Sequence, residues 1–417
     1  MIEMEWDPGC VSISDFPDSI IEIILTKLPI MDAVRTCVLS KRWRHRWASM
    51  TNLVFDDRMF DDTWVVEYDQ IVQFIDKCLR LHHGPIHVFS IESVNICVAP
   101  EVEEWLFILS KTLVKELILV FSDASWCTVP QSLFCFKNLT RLKLSQWELR
   151  PPPDFNGFKL LKRIDFVLVM FPQNDYGRLI ESCPLLETLM ISSHESIALT
   201  IRAPNLKSLD VYGEFLELCL AHTPLLVSAW MDIYTSVEHT SNCLHKFLGC
   251  TPKLEKLVWE VRQVKVGVLG IGHGHRPVTY DHLKYIDLHN VNFKDYKEVL
   301  VVLQVIVNSP VLKKLKIYVS DVPDTNIDPE HLIFWHNHTF DDYTLHQLKT
   351  VKLSGVSDMP VEMGFIKFLV EHSPSLEVMR IRPKKCKEDQ TDPLLPMQIA
   401  LASWQRASPQ ASINFKL

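Results

Sequence analysis

An apolar pair, a gap and then alternating apolar residues form a pattern that recurs along most of this chain. Clear copies of this LxxLxL pattern begin near residues 138, 160, 184, 204, 252, 282, 310, 346 and 374, and weaker copies lie at 52–57, 114–120 and 224–230. Each LxL triplet predicts a short β-strand whose alternate side chains point inward. One such unit cannot bury its strand face alone, whereas stacked units can, so the pattern predicts a repeat architecture.

This pattern is the core of a leucine-rich repeat, here with an irregular spacing of roughly 20 to 35 residues. Helices are predicted between the strands at Val66–Leu81, Glu101–Thr112, Tyr176–Ser182, Ser241–Cys250, Lys297–Asn308 and Gly364–His372. Several of these helices end at a Cys-Pro, Ser-Pro or Thr-Pro step, because proline cannot continue a helix. We expect an α/β solenoid with a parallel sheet on its concave face and helices and loops on its convex face. The alternative, an unrelated α/β domain, does not explain why each strand repeats the same sequence.

A different pattern occupies Ile13 to Met50 and predicts three short helices. Asp18 is expected to cap the first helix, which Pro29 ends. A second helix is predicted at about Met31–Leu39, and a third at Lys41–Met50, capped by Ser40 and with two tryptophans on one face. The segment has more large apolar side chains than three short helices can hide from each other. Part of its surface is therefore expected to contact a partner or the rest of the chain.

The run FPDSIIEIILTKLPIMDAVRTCVLSKRWRHRW resembles an F-box of the plant type, with Phe16-Pro17 in place of the usual Leu-Pro. This resemblance implies binding to a Skp-type adaptor and, through it, to a cullin-based ubiquitin ligase. It assigns the adaptor-binding surface to Phe16, Pro17, Ile20, Ile24, Leu28, Pro29, Val34, Val38 and Trp43. The alternative is that many of these side chains form only the core of the helical segment.

Residues 346–382 resemble the FBD segment found at the end of plant F-box and leucine-rich-repeat proteins, and we interpret them as a terminal repeat unit. The predicted organisation is an F-box at 13–55, a leucine-rich-repeat solenoid at 56–345, the FBD-like segment at 346–382 and a tail at 383–417. The tail begins with a charged run and continues with a predicted short helix at Met397–Arg406.

Composition narrows the classes of function. A net charge of −8 argues against a nucleic-acid-binding protein, and eleven scattered cysteines without a CxxC pair favour a reducing compartment. The first residues lack the pattern of a signal peptide, and the densest apolar run, at 299–307, is too short to span a bilayer. We therefore expect a soluble protein of the cytoplasm and/or nucleus, without membrane contact.

No motif indicates catalysis, so no enzyme activity and no cofactor are predicted. The glycine-rich segment 266–279 lacks the GK[ST] ending of a phosphate-binding loop. His273 and His275, or the His and Asp residues at 336–342, are possible metal ligands, but they lack the spacing of a zinc site, and no metal is predicted. The basic residues at 41–46 are interpreted as a solvated helix face rather than a nucleic-acid site.

The residues that follow each inward side chain of a strand are expected on one open surface. This predicted target-binding face consists of Lys143, Ser145, Asp165, Met190, Ser192, Asp210, Tyr212, Glu260, Asp287, His289, Lys316, Tyr318 and Lys352. Both charge signs and aromatic residues occur there, as in many protein-binding faces, although an ordinary wet surface has a similar composition. No cluster of basic residues stands out, so nothing indicates an inositol-phosphate site like that of some F-box hormone receptors.

Two hypotheses of function remain. The first is a non-catalytic substrate receptor of a cullin-type ubiquitin ligase, with an unidentified target on the repeat face. The second is a protein-binding scaffold whose helical segment caps the solenoid. Exposure of Phe16, Pro17 and Ile20 separates them, because a cap would bury these residues and a docking site would leave them accessible.

Overall fold

A computed structural model describes residues 16–59, 68–97, 100–123, 127–172, 175–234, 247–261, 279–321, 343–384 and 394–415. The chain forms two compact units, unit 1 at Met1–Leu186 and unit 2 at Glu187–Leu417.

Unit 1 combines N-terminal helices with a parallel sheet. Its helices are α1 (Asp18–Leu25), α2 (Ile30–Arg35), α3 (Tyr68–Leu81), α4 (Glu101–Ser110) and α5 (Tyr176–Glu181), with 3-10 turns at Thr36–Val38, Arg46–Ser49, Asp57–Met59 and Gln131–Cys135. Its strands are β1 (Asn52–Asp56), β2 (Val88–Cys97), β3 (Glu116–Asp123), β4 (Cys127–Thr128), β5 (Arg141–Ser145), β6 (Trp147–Glu148) and β7 (Arg163–Val167). The strands β1, β2, β3, β5 and β7 pair in that order, all parallel, while β4 and β6 form a separate pair.

The described residues of unit 2 follow the same plan and form nine strands, each parallel to the next along the chain. They are β8 (Thr188–Arg202), β9 (Ser208–His222), β10 (Ser228–Tyr234), β11 (Lys256–Glu260), β12 (Tyr285–Val291), β13 (Lys314–Val319), β14 (Thr350–Val356), β15 (Val378–Pro383) and β16 (Ser412–Phe415). Besides a short helical stretch at 247–249, the described residues of unit 2 form the helices α6 (Tyr296–Val307), α7 (Pro360–His372) and α8 (Leu394–Ser403).

The strands form where the sequence predicts them, because each LxL triplet buries its two apolar residues on one face. Leu209 and Val211 of β9, for example, are fully buried, while Asp210 between them is only half-buried. From β7 to β15, the leucine before each strand is also buried and closes a tight turn, as Leu206 does by donating its N–H to the Ala203 carbonyl. The predicted parallel-strand architecture typical of a leucine-rich-repeat solenoid is confirmed.

Five of the helices predicted between strands agree with the structure to within a few residues. The longest difference is at α7, which begins at Pro360 rather than Gly364, because proline suits the first turn of a helix. Only the end of the helix predicted at Ser241–Cys250 falls within the described residues, and 247–249 are helical there. The tail helix begins at Leu394, three residues before its predicted start.

Apart from the two-residue strands β4 and β6, which were not predicted, four strands differ from the prediction. The strands β8 and β9 each have 15 residues instead of a short triplet, since Ile197, Leu199 and Ile201 continue the burial alternation of β8. Gly213, with φ of 112°, makes the close pairing of these strands possible, because a Cβ there would overlap the Ser193 carbonyl oxygen. The strand β2 and the terminal strand β16 were also not predicted.

Two predictions about the N-terminal helices were wrong. Asp18 is the first residue of α1 rather than its cap, and its carboxylate instead accepts hydrogen bonds from Arg42 and Arg46 at 2.7 and 2.8 Å. The third predicted helix is a series of turns ending in the 3-10 turn at Arg46–Ser49, because His45 adopts the left-handed conformation at φ 66°. The Ser40 side chain makes no capping bond to the described residues.

Candidate interaction surfaces

The N-terminal helices and turns at residues 16–50, which we call the helical module, bury one side of each element. Ile21 and Leu25 of α1, Ala33 of α2 and Trp43 are fully buried, and Trp47 is nearly so. These positions repeat at helical spacing within α1, so the same amphipathic pattern that forms the helix also fixes which side faces inward. Trp43, assigned above to the adaptor-binding surface, therefore lies in the core of the helical module.

The other side of the helical module is apolar and accessible. Ile20 is 40% exposed and Val38 is 87% exposed, and Pro17 is also exposed. The remaining members of the predicted adaptor-binding surface are half-buried, namely Phe16, Ile24, Leu28, Pro29 and Val34. An 87% exposed valine has no role in the folded core of the described residues, so this side of the module is available to a partner.

Two exposed apolar residues of the helical module were missed in the sequence. Ile23 is 56% exposed and Leu39 is 48% exposed. Ile20, Ile23 and Ile24 occupy positions i, i+3 and i+4 of α1, so helical spacing places them on one face. The sequence signal for this exposure is the run of isoleucines in α1, because one helix face cannot bury all of them.

The end of the helical module is joined to unit 1 through the backbone. The Ala48 carbonyl accepts hydrogen bonds from the N–H groups of His83 and Gly84, and the Thr51 carbonyl accepts one from His87. Gly84 approaches so closely that a Cβ would lie 2.9 Å from the Cα of Ser49. The module thus has a fixed attachment at one side while its Pro17, Ile20 and Val38 side stays accessible.

We call the outward side chains of the strands the open face. In unit 1 the charges of the open face pair with one another around Asp165, which is only 1% exposed. Its carboxylate accepts hydrogen bonds from Arg163 at 2.8 Å and from Arg141 at 3.3 Å. Lys143 lies 2.6 Å from Glu92. Two residues predicted as accessible on this face, Asp165 and Ser145, are in fact buried, and the side chains of Arg141 and Arg163 contact the Asp165 carboxylate.

The first strands of unit 2 carry an acidic and aromatic part of the open face. Strand register places Asp210 beside Trp230 and Tyr212 beside Asp232. The rings of Tyr212 and Trp230 lie 5.7 Å apart, and Trp230 is 42% exposed. Burial, together with the charges of Asp210 and Asp232, raises the pKa of Tyr212 to about 12. Trp230 was missed in the sequence because Val227–Trp230 matches the repeat pattern only weakly.

Asp287 of β12 contacts three neighbouring side chains in the middle of the open face of unit 2. It accepts hydrogen bonds from Lys316 at 2.8 Å and from the Tyr285 hydroxyl at 2.7 Å, and its other oxygen lies 3.1 Å from His289. These partners leave Asp287 only 6% exposed, so it too is less accessible than predicted. Its hydrogen bond raises the pKa of Lys316 and keeps that lysine charged. His289 in turn stacks on Tyr318 at 4.5 Å.

Cations gather on the next three strands. Register aligns Lys316 with Lys352 and Lys352 with Arg380, while Lys314 and Arg382 lie two residues away along their own strands and on the same face. We call these five residues the cationic strip. The expectation that no basic cluster occurs on this face is therefore wrong. The sequence separates these residues by up to 68 positions, and only strand pairing brings them together.

The remaining members of the predicted face are half-buried and lie on its outward side. They are Met190, Ser192 and Glu260. Among the residues that the structure describes, no group of His, Cys, Asp and Glu is arranged to hold a metal ion, and no helix is long and apolar enough to cross a membrane. The possible ligands at 273–275 and 336–342 lie outside the described residues.

Comparison with known proteins identifies the family. A model described as "F-box domain" matches residues 13–55, and one described as "FBD-associated F-box protein At5g56370, LRR repeats" matches residues 102–258. The Arabidopsis thaliana protein named F-box/FBD/LRR-repeat protein At1g13570 is 39% identical over 412 residues, covering 97% of this chain and 98% of that protein. The chain belongs to the F-box/FBD/LRR-repeat protein family. The F-box and FBD resemblances seen in the sequence are thereby confirmed.

Further members of the F-box/FBD/LRR-repeat family are more distant. FBD-associated F-box protein At5g56370 of Arabidopsis thaliana is 25% identical over 414 residues, covering 90% of this chain and 91% of that protein. Among solved structures, a crystal structure of an internalin from Listeria monocytogenes is 12% identical and covers 86% of this chain and 99% of that one, with a TM-score of 0.39. The fold assignment rests on the parallel strands described above and not on that likeness.

Proposed function

We propose that this protein is the substrate-recognition subunit of an SCF-type ubiquitin ligase. The helical module would bind a Skp-type adaptor, and through it a cullin, while the open face would bind a target protein. The observation that carries this proposal is the accessible apolar side of a segment that matches the F-box, with Ile20 40% and Val38 87% exposed. Exposed apolar side chains of this size lose contact with water when a partner covers them, which favours association.

In this proposal, the protein has no catalytic residues of its own. Its contribution is proximity, because holding a target and the ligase on one chain raises the effective concentration of the target's lysines near the charged enzyme. The identity of the target is left open, and we place the complex in the cytoplasm and/or the nucleus. No cofactor enters this proposal.

Adaptor binding tests the proposal directly. We expect the purified chain to bind a purified Skp-type adaptor in isothermal titration calorimetry. The double variant Ile20→Asp/Val38→Asp should weaken binding by at least about tenfold, since it places two carboxylates against an apolar partner surface. Both side chains are exposed, so the variant should remain folded.

A matched control separates this effect from general changes in surface charge. Leu395 and Ile399 are each 65% exposed on α8, outside the helical module. The variant Leu395→Asp/Ile399→Asp adds the same two charges and should bind the adaptor as the wild type does. Equal weakening in both variants, or no binding by a folded wild type, would contradict the proposal.

A second candidate function is a protein-binding scaffold in which the helical module only caps unit 1. The hydrogen bonds from His83 and Gly84 to Ala48 favour it, because they tie the module to the neighbouring chain. In that case the wild-type chain and both double variants would show no adaptor binding while retaining target binding. The accessibility of Pro17, Ile20 and Val38 is the reason we prefer the ligase subunit.

A further inference from the structure

The cationic strip concentrates positive charge in a chain whose net charge is −8. Its five residues lie on the outward positions of β13, β14 and β15, and Arg380 and Arg382 are exposed. Asp287 pairs with Lys316 on the first strand of the strip. Arg380 and Arg382 form no ion pair with the described residues. The charges of these two arginines are therefore not balanced by an ion pair with the described residues.

Tyr285 helps to hold the lysines together. The ammonium groups of Lys314 and Lys316 lie 5.4 and 5.2 Å from the centre of its ring, and that of Lys256 on the other flanking strand lies 5.7 Å away. A cation near an aromatic face is attracted by the ring quadrupole, which offsets part of the repulsion between neighbouring cations. Like charges on adjacent strands nevertheless destabilise a sheet. An anionic partner would remove that repulsion.

We propose that the cationic strip binds an acidic segment of the target protein in an extended conformation, an inference that rests on the function proposed above. Carboxylates of the segment would pair with Arg380 and Arg382. The stacked pair of His289 and Tyr318 lies beside the strip, with Tyr318 38% exposed and in register with Ser354, the neighbour of Arg382. This pair offers an apolar contact for one aromatic or aliphatic side chain of the same segment.

The arrangement of charges favours an extended peptide. Neighbouring strands lie about 4.8 Å apart, so the strip spans roughly 10 Å across three strands and about 7 Å along them. The cations are thus spread in two directions and can meet several carboxylates, which repeat at about 7 Å on one side of an extended chain. A nucleic acid would extend beyond the strip and meet the acidic part of the open face around Asp210, Asp232 and Glu260.

The test uses the full chain bound to its adaptor and a fluorescein-labelled peptide probe. The probe is a peptide of about eight residues in which Glu and Asp alternate with apolar residues and a central Phe, so that it covers the strip in extended form. The control peptide replaces each Glu and Asp by Gln and Asn. We expect the acidic probe to bind at least about tenfold more tightly at low salt and to weaken as salt is added.

Charge reversal locates the binding. The variant Lys352→Glu/Arg380→Glu/Arg382→Glu should bind the acidic probe at least about tenfold more weakly than the wild type. Lys137, Lys162 and Lys253 are exposed and lie outside the strands, so Lys137→Glu/Lys162→Glu/Lys253→Glu makes the same change in net charge away from the strip. That control should keep probe binding within about twofold of the wild type. A Gln version of the strip variant should give a smaller loss in the same direction.

The possible results separate this inference from the proposed function. Binding of the adaptor without preference for the acidic probe, or equal losses in the strip and control variants, would overturn the inference alone. Binding of the acidic probe by a chain that does not bind the adaptor would support the inference and overturn the proposed function. Tighter binding of a single-stranded RNA of similar length than of the acidic peptide would overturn the inference in favour of a nucleic acid.

Discussion

The open face is arranged differently in the two units, although both are built from the same kind of strand. In unit 1, Arg141 and Arg163 bind Asp165, and Lys143 binds Glu92, so charges are neutralised within the face. On β15 of unit 2, Arg380 and Arg382 are exposed and form no ion pair with the described residues. Outward positions do not build the core, so the repeat leaves them free to vary. We infer that the paired charges of unit 1 serve the fold and that the exposed arginines of β15 in unit 2 serve recognition.

The largest expected effect on stability concerns a buried carboxyl group of unit 2. Burial raises the pKa of Glu362 in unit 2 to about 7, against hydrogen bonds donated by Ser357. Because the pKa of Glu362 is raised above its unfolded value, the contribution of the protonated side chain to the free energy of unfolding is complete below about pH 4.5. This contribution is lost as pH rises through about 7. The expected loss is about 3 kcal/mol. Urea unfolding of the wild type and of Glu362→Gln at pH 5 and pH 8 measures it.

The Gln variant should be more stable relative to the wild type at pH 8 than at pH 5. An equal difference at both pH values would show that Glu362 does not titrate in this range.

Removing the central anion of unit 1 should have the next largest effect. Asp165→Ala removes the carboxylate that Arg141 and Arg163 share, and we expect a loss of about 2 kcal/mol in the free energy of unfolding. The estimate is below that for a fully buried pair, because both arginines are partly exposed. Urea unfolding checks it, with Asp154→Ala in an exposed position as the control. A loss no larger than that of the control would mean that the unit 1 charges do not serve the fold.

Neutralising the strip should change binding without changing stability. Arg380→Gln/Arg382→Gln removes two exposed charges and should weaken binding of the acidic probe by about 1 kcal/mol. The free energy of unfolding should stay within about 0.5 kcal/mol of the wild type. Fluorescence anisotropy and urea unfolding give the two values. A large loss of stability with unchanged probe binding would reverse our interpretation of unit 2.

The smallest effect is expected when a paired cation of unit 1 is removed. Lys143→Met removes the partly exposed ion pair with Glu92 and should cost less than about 1 kcal/mol in unfolding free energy. Binding of the acidic probe should be unchanged, since that lysine is already paired. A clear loss of probe binding in this variant would place the acidic segment on unit 1 instead.

Much of the fold follows from the sequence because it depends on local periodicity. The LxL alternation predicts which residues of β9 or β13 are buried, and the proline steps predict where α6 and α7 end. The third helix of the module was mispredicted because His45 adopts a left-handed backbone that no apolar pattern signals. The longer β8 was missed although Ile197, Leu199 and Ile201 carry the alternation.

The surfaces were harder to predict than the fold. Which of the apolar residues of the helical module face outward depends on how the module packs, so Trp43 was assigned to a surface although it is buried. The cationic strip requires the register of three strands, which places Lys316, Lys352 and Arg380 side by side. Strand register between distant repeats is set by the whole stack, and a single sequence shows only the repeats.

The central claim is that one chain holds an adaptor and a target segment at the same time on separate surfaces. Its most direct test is sedimentation of the chain with a Skp-type adaptor and the fluorescein-labelled acidic probe. We predict that the probe sediments with the chain–adaptor complex and binds with the same affinity whether or not the adaptor is present. Displacement of the probe by the adaptor, or failure of the chain to sediment with the adaptor, would contradict the account.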